Sequence, residues 1–345
     1  MAVTAETLAA IRRLRWLITG STDTVTDDLV RMWAVAWDEV VDAWRDIIDE
    51  LKDPALPAWQ RQQLLLQSER ARKALEQTAQ RLDDLAREAG VRITVDLPGV
   101  LAGQDGLLVD VVRSQFPASI DPSLSRMSAA QLDWIVARTS GQIESLLRPL
   151  SVDVVAVMRA ELIRGVALGT NPKQVAREML RRTKHGFDGG LRRAKTIART
   201  EMLDATRRAS QEWGLANSDV LLGWRWTCEF SSRTCPSCLA MHGQLFSLDE
   251  FGPDDHQNGR CTCTFVTKSW ADLGIAGMDE PADMFPDARA WFDSQSEDVQ
   301  REIMGRQRLA DLRAGRLGWD DIPVRRANPG WRDSVVPAPV AGRRS

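Results

Sequence analysis

The sequence predicts a mainly α fold with a small β-containing module in the C-terminal half, an α+β arrangement. Apolar residues recur every three or four positions through most of residues 1–213, as they do along one face of a helix. After Trp213 the pattern changes to two alternating segments, 220–228 and 261–267, of the kind that form strands. A turn-rich segment with many Cys, His, Gly and Asp residues separates them.

The composition is that of a globular protein with more than one structural region. The 345 residues exceed the usual length of one domain, roughly 100–200 residues. Apolar residues make up 43% and charged residues 27%, which excludes a largely disordered chain. The net charge of −3 excludes a basic excess over the whole chain, so any contact with DNA must come from a local patch.

The chain carries neither a signal-peptide pattern nor a candidate membrane span. Residues 1–16 form an amphipathic pattern without the apolar core of a signal peptide. No stretch approaches the ~20 consecutive apolar residues that cross a bilayer. We therefore expect a protein made in a cytoplasm, with no membrane partner.

Two long helices are predicted first. An apolar stripe predicts a helix from Thr24 to Leu51, which Pro54 and Pro57 end. A second helix is predicted from about Ala58 to Ala89, with Gly90 as its C-cap. Together they indicate an antiparallel helical hairpin packed against neighbouring helices.

The next segments predict a short strand, a loop and more helices. Val91 to Val95 alternates like a strand, and Pro98 to Gln104 is typical of a loop. Further helices are predicted from the capping box of Ser128 and Gln131 to before Pro149, from Ser151 to Leu168, from Pro172 after the N-cap Asn171, and from about Leu191 to Trp213 after the pair Gly189 and Gly190.

After the second predicted strand, two short helices are predicted, at about 284–292 and 299–314, and then a tail rich in Pro and Arg that we expect to be mobile. We therefore divide the chain into a helical region 1–185, a module 186–270, short helices 271–327 and a tail 328–345.

The five cysteines and two of the three histidines fall within one short segment of the predicted module. Cys235-Pro-Ser-Cys238 has the spacing of a thiolate pair that grips a zinc ion from a tight turn. His256 and Cys261 are the next candidate ligands. A disulfide or free thiols remain the alternative, although an odd cysteine number favours metal. The predicted module is thus β-containing and zinc-binding.

Three further residues of this segment have less defined roles. His242 and Cys263 are alternate ligands of the same zinc ion. Cys228 follows Trp224 and Trp226 on one strand face and is predicted to be a small buried thiol.

The segment predicts a structural zinc and no catalytic residue. Hydrolytic zinc sites use patterns such as H-E-x-x-H, or H-x-E with P-C-x-x-C, and neither occurs here. The sequence also has no G-x-S-x-G, P-loop or G-x-G-x-x-G pattern, so we expect neither an enzyme nor a small-molecule substrate.

Five motifs resemble the phage Mu F-like head morphogenesis family over about residues 187–268. They are 198–201, 226–227, 233–238, 242–243 and 255–261, with weaker similarity at 169–172 and 299–315. Two positions depart from the family pattern. Ser231 and Ser232 stand where the family often has Asp, and Gly259 stands where many members have a first Cys, which leaves Cys261 as the matching thiolate and Cys263 as an extra one.

The resemblance implies a minor capsid protein that is present in few copies and associated with the portal on the head interior. The expected partners are the portal protein and a scaffold or major capsid protein, in the host cytoplasm during assembly and in the virion head afterwards. In the Arg-Thr-Glu motif of Arg199, Thr200 and Glu201, we expect a salt bridge that docks the helix on the strands.

Two other functions stay open. One is a metal-dependent hydrolase, such as a capsid maturation protease. The other is a zinc-ribbon protein that binds DNA, and packaged DNA is also a candidate partner of a head protein. The residues that would contact DNA lie on one predicted helix: Arg192, Arg193, Lys195, Arg207 and Arg208.

Overall fold

The chain forms two compact units in a computed structural model that describes residues 3–50, 69–147, 151–167, 172–328 and 332–340. Unit 1 consists of Met1–Thr22, Leu97–Ala137 and Met202–Ser345, and unit 2 of Asp23–Asp96 and Arg138–Glu201. The units interleave along the sequence, whereas the predicted regions are consecutive.

Helices dominate the first two thirds of the chain, as predicted. They are α1 (Ala5–Glu50), α2 (Glu69–Val95), α3 (Leu97–Arg113), α4 (Ala129–Leu146), α5 (Ser151–Ala167) and α6 (Pro172–Ala216). Helix α1 begins well before the predicted start at Thr24. The predicted features at Pro54, Pro57, Pro149 and Asn171, and the helix start at Ala58, lie outside the described residues.

The predicted strand at 91–95 and the predicted loop at 98–104 are wrong, because both segments are helical. Ile93 is fully buried and continues the helical stripe of Ala86 and Ala89, so packing overrides the local alternation. Pro98 lies in the first turn of α3, where the missing N–H of proline needs no partner.

The predicted helix break at Gly189 and Gly190 is also wrong, since α6 runs through both glycines. A glycine inside a helix costs about 1 kcal/mol relative to alanine. Buried side chains offset this cost on either side of the pair, with Phe187 at 2% and Ala194 at 1% exposure. The carbonyl of Phe187 also accepts a hydrogen bond from the Trp33 indole at 3.2 Å.

Both predicted strands of the module are confirmed. Strands β1 (Leu221–Thr227), β2 (Leu245–Phe246) and β3 (Thr262–Thr267) form an antiparallel sheet in the order β2-β1-β3. The outer edge of β3 is paired by a side chain: the Gln115 amide donates to the Phe265 carbonyl at 2.9 Å and accepts from the Thr267 N–H at 3.2 Å. The edge is thereby shielded from further strand pairing.

Short elements complete unit 1: α7 (Pro236–Met241), α8 (Ala288–Asp293), α9 (Glu297–Met304), α10 (Arg306–Arg313), β4 (Pro323–Arg326) and β5 (Ser334–Pro337). The predicted helix at 299–314 is divided at Gly305, whose φ of 72° is left-handed. The predicted mobile tail is partly ordered, because β5 pairs with β4.

The core of unit 1 joins the start of α1 to the module. It contains Val3, Ile11, Leu14 and Ile18, the strand residues Trp226 and Phe265, and the cysteines Cys228, Cys238, Cys261 and Cys263. The N-terminal turns of the chain are therefore part of the same hydrophobic core as the cysteine segment. No helix within the described ranges is long and apolar enough to cross a membrane.

Candidate metal centre

Three predicted ligands meet at the start of α7. The helix begins with Pro236 directly after Cys235, so that Cys235 and Cys238 share one side of its first turn. The sulfur atoms of both residues and a ring nitrogen of His256 all lie within 4.8 Å of one another. These donors are close enough to hold one metal ion, and two thiolates with an imidazole suit zinc.

The remaining predicted ligand, Cys261, lies beside this group. Its side chain is buried, and it contacts Cys238 closely enough that the pKa of Cys238 is raised well above its usual value, first by a hydrogen bond with Cys235 and then by one with Cys261. Cys261 does not belong to the set of donors that are mutually within 4.8 Å.

One sulfur ligand of the centre is already ionised. A hydrogen bond from Cys238, together with the nearby His256, lowers the pKa of Cys235 to about 3, so this sulfur is a thiolate at neutral pH. The hydrogen bond with that thiolate raises the pKa of His256 to about 9.

Metal binding is expected to release at least two protons per ion at pH 7. His256 and Cys238 are both protonated at that pH in the metal-free protein and must lose their protons to bind. Affinity should therefore rise with pH through about 9, the pKa of His256, and continue to rise above it, because the pKa of Cys238 is higher still. Calorimetric titration of zinc in buffers of different ionisation enthalpy counts these protons, and a count of zero would contradict the ligand assignment.

A buried ion pair holds the loop that carries His256 and Cys261. The Arg207 guanidinium lies 2.7 Å from the carboxylate of Asp255, with side-chain exposures of 2% and 0%. Arg207 also donates to the carbonyls of Gly259 and Cys261 at 3.2 and 3.1 Å, and Asp255 accepts from the Cys261 N–H at 3.0 Å. This network fixes the loop from helix α6.

The C-terminal hairpin holds the same loop from the other end of the chain. Arg332 donates to Asp255 at 3.1 Å, and the Val335 N–H donates to the Asp254 carbonyl at 2.6 Å. Both hairpin strands, β4 and β5, also pack against α7. Segments far apart in sequence thus converge on the ligand loop. No local sequence pattern predicts these contacts.

Gly259 is required by this packing. A Cβ atom at this position would lie 2.2 Å from the carboxylate of Asp255, far inside van der Waals contact. We expect Gly259→Ala to destabilise the protein by about 2–3 kcal/mol, a typical cost of overpacking. Thermal unfolding measures the change.

A matched control is Gly141→Ala, at a position in α4 where a Cβ atom meets nothing within 4 Å. This control should be neutral or slightly stabilising, because alanine is the better helix former. Equal stabilities of the two variants would contradict the role of the Gly259 position.

The alternate ligands His242 and Cys263 are not part of the three-donor group. His242 accepts a hydrogen bond from the Cys228 N–H at 3.1 Å, and its burial lowers its pKa to about 4. Cys263 faces Trp226 across the sheet, and burial raises its pKa. Cys228 is buried as predicted, at 6% exposure, although it lies near Cys235 and Cys261.

The residues of the Arg-Thr-Glu motif lie in α6. Thr200 and Glu201 are buried, at 1% and 5% exposure, and Arg199 is half-buried. The salt bridge between Arg199 and Glu201 stays a prediction.

The predicted DNA-contact residues separate into two groups. Arg192 and Arg193 are exposed and Lys195 is half-buried. Arg207 is buried in its pair with Asp255, so its guanidinium does not contribute to a basic surface. Arg208 pairs with Asp204 at 2.9 Å and lies over the ring of Phe251. For these two arginines DNA contact stays a prediction, and intramolecular partners occupy both side chains in this structure.

The fold and the site define a mainly helical protein with a compact Cys/His centre beside a three-stranded sheet. Residues 156–266, about a third of the chain, match the family model described as Phage Mu protein F like protein. This match confirms the predicted resemblance, begins upstream of residue 187, and contains all three donors. It indicates a phage head morphogenesis protein. No curated protein and no solved structure gave a significant match.

Proposed function

We propose that this chain is a phage minor head protein that acts in procapsid assembly, in association with the portal on the head interior, and that a structural zinc ion pins its module. The observation that carries the proposal is the position of Cys235, Cys238 and His256 inside the segment that matches the Mu F-like family. No catalytic step is part of this function.

The zinc is proposed as structural because the donors come from three separate segments of a small sheet module. Cys235 directly precedes α7 and Cys238 lies in its first turn, His256 lies in the loop, and Cys261 directly precedes β3. The long segment between β1 and β3 contains little regular structure. One ion bound by these residues would hold that segment in place. With Cys261 as the fourth ligand, all four positions would be filled, which would leave no place for a catalytic water.

The proposed partners are the portal protein and a scaffold or major capsid protein. Trp16 and Trp134 are exposed at 75% and 57%, and tryptophan is a residue that protein interfaces preferentially bury. The protein would meet these partners in the host cytoplasm and remain in the virion head.

A phage that carries a stop codon in this reading frame tests the proposal. We expect heads that are absent, unfilled or misassembled, rescue by the wild-type chain from a plasmid, and no rescue by the Cys235→Ser, Cys238→Ser double variant. Mass spectrometry of purified heads should detect the protein, and cross-linking should join it to the portal. Normal filled heads without the protein would contradict the proposal.

Contact with packaged DNA is a second candidate function. Within the described residues, the exposed Arg192 and Arg193 make no ion pair, so both charges are available to phosphates. Affinity for duplex DNA should then fall steeply with salt, and the Arg192→Ala, Arg193→Ala double variant should reduce that slope. A salt slope that the double variant leaves unchanged would contradict this candidate.

A further inference from the structure

A cavity of about 410 Å³ lies in unit 1, apart from the group of metal ligands. One wall is the first part of α1, and the other consists of the segment after β1, His242 and the segment around Phe285. The α1 residues that line it include Leu8, Arg12, Arg15 and Thr19, whose spacing places them on one helix face.

The inner wall of the cavity is aromatic. The rings of Phe230 and His242 lie 4.6 Å apart, and those of His242 and Phe285 lie 4.9 Å apart. Burial lowers the pKa of His242 to about 4, so its ring is neutral at pH 7. This wall offers apolar faces to a side chain of aromatic or large aliphatic type.

The α1 wall is cationic. Arg12 is exposed and makes no ion pair within the described residues. Arg15 is largely buried, donates to the Thr227 carbonyl at 3.1 Å, and lies 3.8 Å from Glu229. Trp16 lines the same cavity although it is 75% exposed. The cavity therefore combines an apolar interior with two arginines and one glutamate at its edge.

We propose that this cavity binds a short acidic segment of a partner protein, in which an aromatic or large apolar residue adjoins an Asp or Glu. The apolar side chain would occupy the aromatic wall, and the carboxylate would pair with Arg12. A peptide is favoured over nucleic acid because the lining is mainly apolar, and because Arg15 is already engaged with Glu229, which leaves Arg12 to pair with a single carboxylate. The proposed head-assembly role assigns no binding pocket, so this inference goes beyond it.

Two dipeptide probes test the charge requirement on the full-length, zinc-supplemented protein. N-acetyl-Phe-Asp-amide should bind, and its neutral isostere N-acetyl-Phe-Asn-amide should bind about tenfold more weakly, because one charge-assisted hydrogen bond is lost. Saturation-transfer NMR measures both affinities. N-acetyl-Ala-Asp-amide, which lacks the ring, should also lose most of the binding.

Two variants localise the site. Arg12→Ala should lower the affinity for the Phe-Asp probe about tenfold, so that the variant no longer prefers this probe over the Phe-Asn probe. Arg13→Ala is the matched control, because Arg13 is a neighbouring exposed arginine that faces Asp110 at 3.7 Å and does not line the cavity. This control should leave binding unchanged.

Three results with the dipeptide probes would overturn the proposal: no binding of the Phe-Asp probe, equal binding of the Asp and Asn probes, or equal effects of the two arginine variants. Tighter binding of a short oligothymidylate, lost in Arg12→Ala, would also overturn it by showing a nucleic-acid site. The zinc content of the same samples, measured in parallel, separates a failure of this proposal from a failure of the proposed metal centre.

Discussion

Replacing Cys235 and Cys238 together with serine is expected to abolish zinc binding and to unfold most of unit 1. Structural zinc contributes about 10–16 kcal/mol in small zinc domains at neutral pH, whereas a whole domain is stable by only about 5–15 kcal/mol. Even a fraction of that free energy exceeds the stability that the small three-stranded sheet can supply by itself. Near-ultraviolet circular dichroism should report the loss, because Trp213, Trp224 and Trp226 are buried around the sheet.

Cys263→Ala is the matched control for this double variant. Cys263 is as buried as the ligands but does not belong to the three-donor group, so its replacement should leave only a small cavity and keep one zinc ion bound. If the double variant stays folded while zinc content is unchanged, the metal ligands are not Cys235 and Cys238.

The second large effect is expected from Asp255→Asn. This substitution keeps the shape of the side chain but leaves the buried Arg207 without its countercharge, and Arg332 loses the same partner. Breaking a buried ion pair on one side costs about 3–5 kcal/mol. Zinc affinity should also fall, because the Asp255 carboxylate accepts the Cys261 N–H and adjoins His256. Chemical unfolding and competitive zinc titration measure the two effects.

Arg325→Ala provides the comparison with an exposed pair. Arg325 contacts Asp254, the neighbour of Asp255, at 3.2 Å, but its side chain is 66% exposed. An exposed ion pair contributes about 0–1 kcal/mol, so this variant should be nearly neutral. If Asp255→Asn were as mild as Arg325→Ala, the buried pair would not be what holds the ligand loop.

Local sequence patterns predicted those helices and strands in which the buried residues recur at the regular spacing of the element. The stripe of α1 and the alternation of β1 and β3 are examples, because one face of each element meets the core. The pattern failed where tertiary packing outweighs local preference. Ile93 is part of a helix despite strand-like neighbours, and the buried Phe187 and Ala194 keep α6 helical across two glycines.

The candidate site likewise contains residues that could be predicted from the sequence and residues that could not. Cys235, Cys238 and His256 could be predicted because metal ligands need particular residue types at short spacings. The pair of Arg207 with Asp255 could not, since 48 positions of sequence separate the two residues and both types are usually exposed. Arg332 was assigned to a mobile tail for the same reason. Long-range ion pairs leave no periodic signal in a single sequence.

X-ray absorption at the zinc edge of the purified full-length protein tests the central assignment most directly. We predict one zinc per chain, coordinated by three sulfur atoms at about 2.3 Å and one nitrogen at about 2.0 Å, which identifies Cys261 as the fourth ligand. In Cys261→Ser one sulfur should be replaced by a lighter atom. A metal-free protein that remains fully folded, or a zinc ion without sulfur ligands, would contradict the account.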